Sequence, residues 1–274
     1  MSDECLNVLQ KKLIALYEND GDVFDENDFN KIVLDEKYLK RFLLRQNGDL
    51  EKAFEFVKET LIWRKEEKLS QMTDASLPRE LYEIAGVCIH GTDFDGNAVL
   101  YLRCRYATYP KEAKTAITRS NYYLLHKAFE KGLYGGDKGW VMVLDFTGIK
   151  FTSFDPQMTY TVLKTLNRMP SGLSKLLLYN FPWYGKPFLQ MLMSLVPKDW
   201  THCGKIVNKD QILQIIPSEN LPVFFENPSE RHKNEIPSGA KYFDDMDKEE
   251  IELYGLKSEH RAIFKKYLTS FENI

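Results

Sequence analysis

The hydrophobic positions of the N-terminal part of this sequence recur with a helical period. A first amphipathic helix is predicted over residues 4–17 from five apolar residues at that spacing: Leu6, Leu9, Leu13, Leu16 and Tyr17. Two further amphipathic helices follow Asp35 and Asp49, because aspartate is a favourable N-cap residue. The acidic stretch 18–30 carries an Asn-Asp-Gly turn signal and is predicted to be a solvated connection. Residues 1–76 are therefore expected to form an N-terminal helical lobe.

Beyond Pro78 the pattern changes to short apolar runs that alternate with helix-length segments. Five runs are predicted to be strands: 87–90, 98–103, 140–146, 176–179 and 204–207. The run 140–146 is apolar on both faces, as parallel strands are. Helices between successive strands imply right-handed crossovers and a mostly parallel sheet. The predicted fold class is therefore α/β, with a helical lobe followed by an α/β lobe over residues 77–227. Residues 228–274 are expected to form a loop and one last amphipathic helix over 247–271.

The segment 186–196 has no polar face. Phe188, Met191, Leu192 and Leu195 place apolar groups on every side of a helix, and only Gln190 and Ser194 interrupt them. At about nine residues such a helix is roughly 14 Å long, which is too short to span a bilayer. It is predicted to be either ordinary core or the wall of an apolar cavity.

Composition and motifs narrow the function classes. The chain has 274 residues, 43% of them hydrophobic, and a formal net charge of −3, so a nucleic-acid partner is not expected. No secretory signal is expected at the N-terminus. Four scattered cysteines, Cys5, Cys88, Cys104 and Cys203, indicate reduced thiols in an intracellular protein. The sequence has no GxSxG, GxGxxG, GxxxxGK[ST] or HExxH motif. We therefore expect no enzyme, no metal site and no cofactor.

Several ordered motifs resemble the CRAL-TRIO (Sec14-like) family of lipid-binding proteins over about residues 30–225. In the helical lobe the resemblance rests on Tyr38-Leu39-Lys40-Arg41-Phe42-Leu43 and Trp63-Arg64-Lys65-Glu66. In the α/β lobe it rests on Val143-Leu144-Asp145-Phe146-Thr147-Gly148, Asn180-Phe181-Pro182 and Pro217-Ser218-Glu219-Asn220-Leu221-Pro222. Within the family, Leu77-Pro78-Arg79, His90-Gly91 and Pro182-Trp183 are similar to one subgroup in particular.

The resemblance implies a lipid pocket whose floor is the sheet and whose cover is a mobile gate helix. Segment 186–196 is then the gate, with Phe188, Met191, Leu192 and Leu195 facing the ligand. The expected pocket residues are Met142, Leu144, Phe146, Met158, Leu176, Leu178 and Phe181. Such a cavity favours a lipid tail by ~0.8 kcal/mol per buried methylene. The expected ligand is a phospholipid or another lipophilic molecule, held by a monomer in the cytoplasm that associates reversibly with membranes.

The headgroup chemistry is expected to differ from that of the phosphatidylinositol-binding members. Those members resemble one another in a basic pair, an acidic residue and a lysine. This sequence has Gln46-Asn47 in place of the basic pair and Ser171 in place of the acidic residue, and only the lysine, Lys205, fits. Lys205 and Arg103 are the candidate headgroup contacts, because an arginine can bind phosphate through two hydrogen bonds. The alternatives are that Lys205 is a surface charge and that Arg103 and Arg105 are solvated strand-end charges. The alternative function is a lipid-independent Sec14-like adaptor.

Overall fold

Four helices form the first of two units in the computed structural model, which describes residues 3–149, 163–185, 187, 189–190, 203–227 and 236–271. The first unit contains Met1–Met72 with Arg168–Gly172. Its helices are α1 (Asp3–Asp20), α2 (Glu26–Val33), α3 (Glu36–Arg45) and α4 (Leu50–Glu66). The predicted N-caps are confirmed, because the carboxylate of Asp35 accepts the N–H of Tyr38 and that of Asp49 accepts the N–H of Lys52. Asp, as an N-cap, satisfies backbone donors that the first helical turn leaves unpaired.

The prediction of a solvated connection over residues 18–30 was wrong. Helix α1 extends to Asp20, and α2 begins after Asp25, whose carboxylate accepts two backbone N–H groups. Phe29, Ile32 and Val33 are buried, and the Phe29 ring stacks on Tyr17 with centroids 4.2 Å apart. These three residues have the spacing of an apolar helix face, so burial outweighs the polar composition of the stretch.

The second unit, Thr73–Asn167 with Leu173–Ile274, is built on a five-stranded sheet. Its strands are β1 (Val87–Thr92), β2 (Ala98–Arg103), β3 (Trp140–Asp145), β4 (Leu173–Tyr179) and β5 (Gly204–Val207). They lie in the order β1-β2-β3-β4-β5, with β1 antiparallel to β2 and every other pair parallel. The predicted α/β class and mostly parallel sheet are thus confirmed. Helix α5 (Arg79–Ile84) precedes β1, and α6 (Lys114–Tyr134) connects β2 to β3.

One face of this sheet is covered by the chain that follows β5, and we call it the packed face. After α7 (Lys209–Ile212), the chain packs against alternate residues of the strands through Ile216, Phe224 and Phe225. The strand residues on this face include Cys88, Val99, Tyr101, Val141, Val143, Leu177, Tyr179 and Val207. The Phe225 ring lies 5.5 Å from the Tyr101 ring and 4.6 Å from the Tyr179 ring. This face is closed by protein side chains.

The C-terminal segment contains two helices, not the single helix predicted over residues 247–271. These are α8 (Lys248–Tyr254) and α9 (Arg261–Thr269). Gly255, with φ of +96°, ends α8 in the left-handed conformation that favours glycine. The end of α8 is bound to α6, because the Arg119 guanidinium of α6 donates to Leu253 O at 2.8 Å.

Candidate functional site

The face of the sheet opposite the packed face carries four of the predicted pocket residues, and we call it the apolar face. Met142 and Leu144 on β3 alternate with Val141 and Val143, which belong to the packed face. Met142 is aligned with Leu176 of β4, and Leu144 is aligned with Leu178. The sequence prediction therefore selected residues that the register brings into one contiguous set.

The apolar face becomes more exposed toward the carboxyl ends of its parallel strands. Leu102, Leu144, Leu178 and Ile206 are aligned across β2, β3, β4 and β5, and we call them the carboxyl row. Leu178 is buried and Leu102 and Leu144 are half-buried, whereas Ile206 is 51% exposed. In the next row toward the amino ends, Leu100, Met142 and Leu176 are all buried. Four aliphatic side chains in one row, only one of them fully buried, leave apolar surface for which a ligand is a natural partner.

Two carboxyl-row residues, Leu102 and Ile206, were missed by sequence reasoning. Both lie in strands whose bounds were predicted correctly, at 98–103 and 204–207. The sequence specifies alternation within each strand, but the alignment between strands comes from the register. The available signal was the apolar character of the two positions.

An aromatic pair lies at the carboxyl ends of β3 and β4. The rings of Phe146 and Phe181 meet edge to face with centroids 4.8 Å apart. Phe146 donates its N–H to Tyr179 O at 3.0 Å, and Asn180 donates its N–H to Val207 O at 3.1 Å. Asn180 has φ of +51°, which turns the chain immediately after β4. Both predicted aromatic pocket residues are thus brought together beside the carboxyl row.

Five predicted site residues lie outside the described residues. They are the pocket residue Met158 and the four gate residues Phe188, Met191, Leu192 and Leu195.

The two candidate headgroup residues lie on the packed-face side, away from the predicted pocket residues. Arg103 is 2% exposed, and its guanidinium lies 4.3 Å from the Phe224 ring and 4.8 Å from the Tyr106 ring. The interpretation of Arg103 as a solvated charge was therefore wrong. Lys205 is exposed on β5 and aligned with Leu177 of the packed face. Strand alternation places both side chains opposite the apolar face, and the strands β2 and β5 are about 14 Å apart.

Asp145 provides the buried acid of the Val143–Gly148 motif. It is 3% exposed and aligned with Arg103, and its carboxylate accepts the N–H of Thr147 at 2.9 Å. Burial raises the pKa of Asp145, while the Thr147 hydrogen bonds and the charges of Arg103 and Arg105 oppose that rise. The acid and the arginine together supply compensating charge where β2 and β3 end.

Asn220 is the residue of the Pro217–Pro222 motif that binds the sheet. Its side-chain amide donates to Thr92 O at 2.9 Å, and its backbone oxygen accepts the Tyr101 hydroxyl at 2.6 Å. Gly91 lies so close that an added Cβ would be 2.5 Å from the Asn220 Cβ. The motif therefore fastens the segment that covers the packed face to β1 and β2.

Two other features of the described residues bear on function classes. None of their helices has the length and apolarity of a membrane span. They contain no group of three or more His, Cys, Asp or Glu residues positioned to hold a metal ion.

Comparison with known proteins places these features in a family. The model of the CRAL/TRIO domain matches residues 84–226. This range includes all five strands and extends to the Phe224-Phe225 segment. A solved structure described as "Crystal structure of Sfh5" is similar with a TM-score of 0.58 and 13% identity, covering 77% of this chain and 81% of that one. At that identity the likeness concerns the fold, whereas the domain match spans more than half of the sequence. The chain belongs to the CRAL/TRIO family.

Proposed function

We propose that this chain binds a phospholipid or another lipophilic molecule without chemically changing it, and that it transfers the molecule between membranes. The observation that supports this most directly is the carboxyl row. Leu102 and Leu144 are half-buried and Ile206 is 51% exposed, although all three are aliphatic and belong to one aligned row. Each lipid methylene buried against such a surface contributes ~0.8 kcal/mol. Membership of the CRAL/TRIO family supports the same function.

In this proposal the lipid tail lies along the apolar face and ends beside the Phe146–Phe181 pair. The segment 186–196 is the proposed gate, because its sequence offers apolar side chains in every direction and lies directly after the turn that carries Phe181. A gate of this composition is stabilised both over a bound tail and against a membrane. The association with membranes is then reversible, and the protein acts as a monomer.

A closer relationship within the family is also part of the proposal. Leu77-Pro78-Arg79, His90-Gly91 and Pro182-Trp183 resemble the CRAL-TRIO domain of motile sperm domain-containing protein 2. The structure gives one of these pairs a physical role, because Gly91 is the residue against which Asn220 packs.

The test compares two substitutions at neighbouring positions on opposite faces of β3. Leu144→Trp fills the apolar face within the carboxyl row, and we expect it to weaken lipid binding about tenfold, the effect of roughly two methylenes left unburied. Val143→Trp, the matched control, overpacks the closed face and is expected to cost about 1–3 kcal/mol of stability. Its lipid occupancy per folded molecule should equal that of the wild type. Native mass spectrometry gives the occupancy, and urea unfolding gives the stability.

The outcomes separate a lipid carrier from a lipid-independent adaptor. A carrier retains one dominant lipid near one-to-one after purification and loses it in Leu144→Trp while remaining folded. An adaptor with a filled apolar face is well folded but empty, stays empty when offered liposomes, and is destabilised equally by both substitutions. That second result would overturn the proposal.

A further inference from the structure

Trp183 is the most exposed large hydrophobic side chain in the described part of the chain. It is 82% exposed and lies four residues after the end of β4, at the carboxyl edge of the sheet. The neighbouring Tyr184 ring meets it edge to face with centroids 5.9 Å apart. A largely exposed tryptophan presents a large apolar surface and one N–H donor to solvent, and it is favoured where one end of a site is apolar and the other is wet.

The backbone that carries Trp183 is held by the fold. Residues Trp183–Gly185 form a short 3-10 turn in which Gly185 donates its N–H to Pro182 O at 2.9 Å. The Tyr184 hydroxyl donates to Ile149 O at 2.9 Å, and the Asn180 amide donates to the Thr147 hydroxyl at 3.0 Å. The turn after β4 is therefore fastened to the turn after β3, and Trp183 projects from a fixed support.

Arg105 adds a positive charge to this edge. Its Nη1 lies 3.8 Å from the Cβ position of Gly148, one residue before the Ile149 that binds Tyr184. The guanidinium lies over the Tyr106 ring at 5.3 Å, and within the described residues it forms no ion pair with a carboxylate. The two turns that meet at Ile149 and Tyr184 are each followed in the sequence by a lysine, Lys150 and Lys186.

We propose that Arg105, Trp183 and Tyr184, here called the docking strip, seat the protein on a phospholipid bilayer that contains anionic lipids. Trp183 enters the membrane interface, where amphipathic rings are favoured, and Arg105 contacts lipid phosphate. A bilayer fits because the strip combines an exposed indole with a guanidinium, the complement of an apolar layer under negative headgroups. The inference rests on the proposed lipid-binding function, since Phe181 joins the strip to the apolar face and a lipid would leave or enter at this edge.

The test uses the full chain and vesicles of phosphatidylcholine alone or mixed with phosphatidylserine. Trp183→Ala is expected to weaken vesicle binding about tenfold or more on both compositions, because it removes a ring that buries apolar surface. Arg105→Gln is expected to weaken binding about fivefold, and only when phosphatidylserine is present. Brominated phosphatidylcholine should quench the emission of the wild type but not that of Trp183→Phe.

Matched controls come from the amino-terminal edge of the same sheet. Phe94 is 65% exposed in the turn between β1 and β2, and Lys138 is an exposed cation nearby. Phe94→Ala removes an exposed ring and Lys138→Gln removes a positive charge, and both should bind vesicles as the wild type does. Circular dichroism and urea unfolding verify that each variant is folded.

The outcomes distinguish this inference from the proposed function. If the wild type retains lipid but Trp183→Ala and Phe94→Ala bind vesicles equally, the docking strip is wrong and the carrier function stands. If the purified wild type is empty and stays empty with vesicles, the carrier function fails, and quenching of Trp183 by brominated lipid then decides by itself whether the strip meets a membrane. A strip that serves a protein partner instead would give no quenching and would overturn the inference.

Discussion

At the scale of single residues, Gly91 shows how a family motif is enforced by space. Its φ is +59°, and an added Cβ would lie 2.5 Å from the Asn220 Cβ. We expect Gly91→Ala to lower the free energy of unfolding by about 3 kcal/mol or more, through left-handed strain together with displacement of Asn220. Chemical denaturation measures the change.

Gly96→Ala is the control for strain alone. Gly96 also has a positive φ, +84°, but the nearest atom to its added Cβ is the Lys138 Cε at 3.8 Å. This variant should cost about 1 kcal/mol. Equal losses in the two variants would show that contact with Asn220 contributes nothing.

His90 gives the fold a pH dependence at residue scale. Burial lowers the pKa of His90 and the charge of Lys131 lowers it further, while a hydrogen bond with the backbone of Glu219 acts in the opposite direction. An unfolded histidine has a pKa of about 6.5. As the pH falls through that value the unfolded chain takes up a proton that the folded chain resists, so the free energy of unfolding declines and then levels below the folded pKa.

His90→Gln is expected to flatten this part of the profile. Urea unfolding between about pH 8 and pH 5 measures it, with the value at the upper end reporting packing loss alone because the ring is neutral in both states there. An unchanged slope in the variant would assign the pH dependence to other groups.

At the scale of elements, the sequence predicted strands more reliably than it predicted where polar stretches become helices. The predicted bounds of β2 and β5 matched the structure: the apolar run of β2 follows the Asp-Gly-Asn turn signal at 95–97, and β5 is followed by Asn208. Helix α2 was missed because acidic residues surround Phe29, Ile32 and Val33, although the spacing of those three was visible. The last helix was predicted as one because its apolar points continue through Gly255, whose positive φ divides it.

In the candidate site, the sequence indicated which positions are apolar but not how the strands align. Met142, Leu144, Leu176 and Leu178 lie in apolar runs of the sheet that the resemblance made the pocket floor, and the register placed them on one face. The same runs could not indicate that Arg103 and Lys205 point the other way, since that depends on which alternate set meets Phe224 and Phe225. The carboxyl row depends on the alignment of four strands, which comes from pairing across the sheet and has no local signature.

At the scale of the whole molecule, a ligand that binds the folded apolar face must stabilise the unit that contains the sheet. A molecule that binds only the folded state adds RT ln(1 + [L]/Kd), or about 2.7 kcal/mol when free ligand is about a hundred times Kd. The amides of β2, β3 and β4 that exchange only through global opening should therefore exchange about a hundred times more slowly in the lipid-loaded protein than in the emptied one. Hydrogen exchange read by mass spectrometry measures this ratio.

The same experiment on Leu144→Trp makes the stabilisation specific to the apolar face. Because Leu144→Trp is expected to weaken lipid binding about tenfold, the same lipid concentration is only about ten times its Kd and should slow exchange in the three strands about tenfold rather than a hundredfold. A wild-type protein that carries lipid by mass spectrometry, yet exchanges these amides at the same rate when emptied, would place the lipid outside the cooperative structure of the sheet. A slowing that stays at about a hundredfold in Leu144→Trp would place the lipid inside that structure but away from the carboxyl row. Only slowing that falls about tenfold with Leu144→Trp assigns the binding of the lipid to the face where the four strands align their leucines and isoleucine.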